Sequence, residues 1–127
     1  MSAASDYMEN ASLKWALSTN SVTRPTAWYV ALFTSATTDV GGGTECSGGS
    51  YARQSVTFTI TNDTASNSAQ ILFPTASSSW GTISYFAIYD ASTGGNMLFH
   101  GPLSSSKLID IGDSFLFNIG GLSVTAA

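Results

Sequence analysis

The chain has 127 residues, enough for one domain with its own apolar core and too few for two. Hydrophobic residues make up 43% and charged residues only 9%, so the polar surface is built mainly from Ser, Thr, Asn and Gly, and the composition is not that of a disordered chain. Four Lys and Arg against eight Asp and Glu give a net charge of -4, which removes the electrostatic footprint that nucleic-acid binding needs.

The opening residues, MSAASDYMENASLKWAL, have no basic region leading into an unbroken apolar run. No window approaches the ~20 apolar residues that span a bilayer, so neither export nor a membrane span is expected. Residues 5–18 carry a helical pattern: Asp6 can cap it, Glu9 stands three residues on in the capping-box position, and no Gly or Pro interrupts before Pro25. At about 100° per residue, Ala4, Tyr7, Met8, Ala11 and Trp15 fall on one side and Leu13 and Leu17 nearly opposite. Two apolar faces need two neighbours, either a groove of the helix's own domain or another subunit. Met8, Leu13, Trp15 and Leu17 are the candidate interface residues.

Beyond TNSVTRPT the composition turns to strand. Residues 27–34 (AWYVALFT) are apolar at both parities, as in a central strand covered on two sides. Residues 55–61 (SVTFTIT) place Val56, Phe58 and Ile60 on one face and threonines on the other, the pattern of a half-buried strand. Further runs follow at 69–73 (AQILF), 83–90 (ISYFAIYD), 96–101 (NMLFHG), 107–111 (KLIDI), 114–119 (SFLFNI) and 122–126 (LSVTA). DASTGGN reads as a hairpin loop, IGD and GG as tight connections, and NDTASNSA and PTASSS as polar loops. The fold class is therefore mainly β: a jelly-roll-like antiparallel β-sandwich of roughly eight strands with one N-terminal helix, in a single domain over residues 1–127.

Five of the 12 glycines and the single cysteine lie in DVGGGTECSGGSYARQSVTF, residues 39–58. A Walker loop would need a Gly-Lys-Ser/Thr ending that opens a helix, and a dinucleotide fingerprint would need strand, glycine turn, then helix. Here the glycines run into a strand pattern, so the segment is a flexible lead-in. Cys46 cannot form an internal disulfide, and with His100 as the one histidine it makes a poor nucleophile and base pair. The expected roles are a small thiol in a loop and a strand-tip histidine satisfied by backbone or water. Zinc needs about four Cys or His ligands and the chain has two. Asp39, Glu45, Asp63, Asp90, Asp110 and Asp113 sit in turn contexts, and DIGD lacks the regular acidic spacing of a calcium loop. No enzyme, cofactor or metal is expected.

Trp15, Trp28, Trp80, Tyr51, Tyr85 and Tyr89 serve either as core packing or as a sugar-stacking platform. Trp80 and Gly81 open the strongest strand, where glycine lets the backbone bend. Arg53 beside Tyr51 suits a fixed ion pair or a cation–π contact as well as a solvated position.

GGSYARQSVTF (48–58), FPTASSSWGTISYFAIYDASTGGNMLFHGPL (73–103) and IDIGDSFLF (109–117), preceded by the YMENASLKWAL helix, resemble a family of small bacteriophage virion proteins. Members are labelled tail-fibre proteins, and similar small sandwiches decorate capsids as cement. The resemblance runs from Tyr7 over nearly the whole chain. It rests on packing and turn positions: Gly49, Tyr51, Arg53, Trp80, Gly81, Tyr85, Asp90 and Gly95. It implies a non-enzymatic virion part made in the host cytoplasm. The favoured expectation is a capsid cement that binds the major capsid protein and itself, as a homotrimer; the alternative is a tail component that meets other tail proteins or a host glycan. Neither nucleic acid nor membrane is expected as a partner.

Overall fold

The computed structural model describes residues 3–125. The end of the predicted last strand, Ala126, and the extremes of the predicted 1–127 domain lie outside the described residues. The architecture is mainly β with one helix, in a sandwich-like arrangement of antiparallel sheets, as the sequence predicts. The elements in chain order are β1 (Ala3–Ala4), α1 (Asp6–Leu17), β2 (Tyr29–Phe33), β3 (Gln54–Ser55), β4 (Phe58–Thr61), β5 (Thr64–Asn67), β6 (Ile71–Leu72), β7 (Gly81–Tyr89), β8 (Met97–Ile109), β9 (Leu116–Phe117) and β10 (Ser123–Thr125). They form sheets of five strands (β1-β8-β7-β2-β3), three strands (β10-β5-β4) and two strands (β6-β9), so the described residues contain ten short strands, where roughly eight are predicted.

β2 is the strand predicted to be covered on both sides, and its residues 30–33 are buried. Val30 and Leu32 join the main core with Ile83, Ile88, Phe73, Trp80, Phe117 and Val124, so one face of the large sheet packs against the smaller sheets. Ala31 and Phe33 face the other way and cluster with Ala87, Met97, Tyr85 and Tyr89. In β7, Ile83 and Phe86 both reach the main core although they are three positions apart, an odd spacing that would put them on opposite faces of a regular strand. The pairing with β8 shifts register between Ile83 and Tyr85, and such an irregularity turns the following side chains to the opposite face.

Several boundaries differ from expectation. The runs at 96–101 and 107–111 are parts of one strand, β8, with the GPLSSS segment carried along. Pro102 pairs with Tyr85 of β7 and, among the described residues, lies beyond the positions Phe99 and His100 at which β1 pairs with β8. The polar stretch predicted as a loop at 62–69 contains β5, folded back on β4 through a turn in which Asn62 takes φ 55°. Ile60, predicted to point inward with Val56 and Phe58, is 67% exposed, because β4 is the edge strand of its sheet.

The helix falls within the predicted 5–18, at Asp6–Leu17, and only its capping residue differs. Ser5, not Asp6, is the N-cap: its hydroxyl accepts from the Met8 amide at 3.1 Å and donates to the Met97 carbonyl, which ties the helix start to β8. Asp6 and Glu9 in the first turn and Lys14 in the last agree in sign with the helix dipole.

Asn67 pins the small sheets together. It is fully buried, donates 2.8 Å bonds to the Ala69 and Asn118 carbonyls and accepts from the Leu122 amide at 2.9 Å. Asn67→Ala leaves a buried amide and two carbonyls without that partner, so stability is expected to fall by about 2–4 kcal/mol. Urea unfolding of the variant checks this, the midpoint dropping at unchanged slope.

Candidate functional site

Two regions hold the residues singled out from the sequence: an anchor around Glu45 and the exposed part of α1. The anchor begins where the glycine-rich segment returns to the sheet. The Thr34 amide donates to the Thr44 carbonyl, the Cys46 amide donates to the Leu32 carbonyl, and Phe33 bridges to Glu45, so residues 44–46 extend the sheet edge beyond β3. That places the Glu45 carboxylate among three donors. Tyr51 Oη donates to Oε2 at 2.7 Å, Arg53 Nε donates to the same oxygen at 2.9 Å and Arg53 Nη2 donates to Oε1 at 3.0 Å. Arg53 Nη1 continues to the Ala91 and Gly94 carbonyls of the β7–β8 hairpin at 3.0 and 2.8 Å, and its guanidinium lies 3.7 Å from the Tyr89 ring centroid. Of the arrangements open to Arg53 in the sequence, this is the ion pair and the cation–π contact together.

The charges respond to these contacts. Burial works against the Arg53 charge, but the bonds to Glu45 and its charge outweigh burial and hold the guanidinium above its ordinary range. Burial first, and the bond to Glu45 second, hold the Tyr51 phenol well above the usual tyrosine range. Burial also raises Tyr89, an effect that the neighbouring Arg53 charge opposes. Tyr51 therefore stays protonated, and its oxygen accepts from the Leu32 amide at 3.0 Å while its proton serves Glu45.

Trp80 lies behind this anchor, only 5% exposed, its indole N–H donating to the Gly49 carbonyl at 2.9 Å and its ring edge-on to Tyr51 at 5.4 Å. Burial removes Trp80 from any sugar-stacking surface. Gly49 has φ 57°, and a Cβ there would stand 2.9 Å from the Trp80 indole nitrogen, so the close approach needs glycine. Gly81 opens β7 opposite Ile109, and Tyr85 sits half-buried in the second cluster. Asp90 closes the hairpin by accepting from the Asn96 amide and side chain at 2.7 and 3.1 Å; Gly95, at φ 75°, leaves room for that carboxylate.

The reactive residue types are held elsewhere. His100 is buried and uses both ring nitrogens, Nδ1 with the Thr37 hydroxyl and Nε2 with Asp39, each at 2.8 Å. Its partners are thus side chains, not the backbone or water expected from sequence. Since both nitrogens are engaged, the imidazole acts as a strut between β8 and the 37–39 loop. Cys46 is also buried, its sulfur 3.9 Å from the Trp80 carbonyl, and burial, with the Glu45 charge adding to it, pushes the thiol up to about 11. Asp113 accepts from the Asp110 amide, so that pair closes a turn. Among the described residues, Asp6, Glu9 and Asp39 bring carboxylate oxygens within 4.8 Å of one another, all three exposed. A hard cation takes roughly six or more oxygens.

The helix contrasts with the anchor. Met8 and Ala11 are half-buried against the body, yet no helix residue is fully buried. Leu13, Trp15 and Leu17 are 60, 78 and 79% exposed, so of the two neighbours anticipated from its faces, the helix's own domain supplies little for these three. No helix among the described residues is long and apolar enough to cross a membrane.

The family described as Podophage GP4 fiber I protein gp80 matches residues 3–125. The chain belongs to this family. It is a phage structural family, which agrees with the resemblance drawn from the GSYAR, Trp80-Gly81 and hairpin positions, and its description names a fibre where the favoured expectation was a capsid cement. No curated protein matches the chain. What residue patterns alone could not supply was the role of Glu45: an acid in a glycine-rich loop, read only as a turn residue, it sits six and eight residues from the Tyr51 and Arg53 it joins.

Two measurements test the anchor. Arg53→Lys keeps the charge but loses the forked contact with Glu45 and the reach to the hairpin, and is expected to cost about 1–3 kcal/mol in urea unfolding. Cys46 ionises near 9.0 when unfolded and near 11 when folded, so its contribution is intact below pH 9 and is lost as pH rises from 9 to 11. Unfolding midpoints over that interval are expected to fall less steeply in Cys46→Ala than in the natural chain.

Proposed function

We propose that this protein is a non-enzymatic building block of a phage tail fibre that docks on other tail proteins through α1. The observation that carries the reading is the apolar end of the helix: Leu13, Trp15 and Leu17 stand in water on a chain with only 9% charged residues. Large apolar side chains left exposed together on both sides of one helix end suit a protein contact. The fibre description of the family supports a tail position over the capsid cement and its contact with the major capsid protein. One compact unit lacks the reach of a fibre, and copies joined in series supply it. His100 and Cys46 support the non-enzymatic reading, since both are buried and spend their polar atoms on neighbouring strands and loops.

Leu13→Asp combined with Leu17→Asp tests the docking role. The substituted residues are exposed, so the β-sheet circular dichroism is expected to be unchanged while incorporation into virion tails is lost, as read by immunogold labelling and mass spectrometry of purified particles. Unchanged incorporation would remove α1 as the docking element.

A further inference from the structure

On the reading of the chain as a fibre unit, the occupant of α1's apolar surface can be named, and we infer that it is a second copy of this chain, which receives the C-terminal half of the helix in a groove beside β4. Leu13 and Leu17 lie on one side of the helix and Trp15 nearly opposite, so a flat partner would cover only one of the two apolar sides. The receiving site has to be concave. The chain carries such a groove, of about 530 Å³, walled by Trp28, Phe58, Ile60, Phe99 and Val124. From the helix, only Met8 reaches its lining; Leu13, Trp15 and Leu17 do not. The helix therefore covers its own groove only through Met8 and leaves Leu13, Trp15 and Leu17 exposed outside it.

Charge fits the same pairing. Lys14 lies between Leu13 and Trp15, and the groove wall carries one acid, Asp63, and one cation, Arg24, so the inserted helix must approach on the Asp63 side. Neither Lys14 nor Asp63 has an ion-pair partner among the described residues. A helix inserted from a second copy brings a lysine toward that aspartate as its apolar residues enter.

The contact is heterologous: a projection on one copy meets a depression on the next, and the pair retains one of each unused, a groove on the first copy and a helix on the second. Repeating it gives a ring if the rotation closes and an open filament if it does not. It also supplies the serial joining that a small unit needs to form part of a fibre.

The test uses two variants of the full chain, both altered at exposed positions. The helix variant carries Leu13→Asp, Trp15→Ser and Leu17→Asp; the groove variant carries Ile60→Glu. Circular dichroism verifies that each keeps the β fold. Sedimentation velocity is expected to show the natural chain growing in mass with concentration, each variant alone as a monomer, and an equimolar mixture of the two as a dimer that grows no further. In that mixture one intact helix meets one intact groove, and both ends left over are blocked. The inference is overturned if the natural chain stays monomeric, if the groove variant assembles like the natural chain, or if the mixture remains monomeric. Those results leave the fibre reading standing wherever the natural chain is still found in virion tails. Absence from tails removes the fibre reading itself, whatever the sedimentation shows.

Discussion

The Glu45 carboxylate is the constraint on which the upper half of the molecule depends. It is one of eight acids in a charge-poor chain, and it receives three hydrogen bonds, from Tyr51 and twice from Arg53. Through Arg53 it holds the β7–β8 hairpin, and through Tyr51 it reaches the backbone of β2. A partly buried ion pair such as this one is weak evidence for net stability, because desolvation cancels much of the attraction. Its value here is positional: removing any member strands the others, so the glycine-rich loop, the sheet edge and the hairpin have one mutual arrangement. Without it, a loop with five glycines would have many.

Residue patterns revealed the parts of this fold that hydrophobicity builds. β2 is legible because YVALF is apolar at both parities, and only a strand covered on both sides uses such a run. The hairpin is legible because Gly94 and Gly95 are followed by Asn96 between two strong strands. β5 is not legible, since Thr64, Ala65 and Ser66 show no alternation and the fourth residue, Asn67, is buried for its hydrogen bonds. β8 hides its continuity because GPLSSS looks like a turn, although its pairing with β7 runs from Met97 to Ile109. The choice between Ser5 and Asp6 as cap depended on the Met97 carbonyl, a contact 92 residues away.

The anchor shows the same division. Tyr51 and Arg53 stand out as an aromatic beside a rare cation, but the partner that unites them lies in a stretch whose composition says only that it bends. Polar contacts between distant residues leave no period in a sequence. The exposed helix was half legible: its two apolar faces follow from spacing, while the depth to which its own domain covers them is a property of the sheet's curvature and of where Ser5 fixes the start.

The contrast between anchor and helix bears on function. The protein invests its few charges in fixing loops, and it leaves a leucine pair and a tryptophan in water, although burying a large apolar side chain contributes roughly 1.5–3 kcal/mol. A monomer selected for stability alone would fold that helix onto its body. Keeping it out is advantageous when the surface that covers it belongs to another subunit, because the same free energy then drives assembly. In a series each copy would meet its neighbour through one contact, so the apolar area buried there alone would set how firmly the row holds. The Glu45 anchor and the Asn67 pin matter to such a row because they fix the elements within each unit, and a contact repeated from unit to unit needs units of one shape.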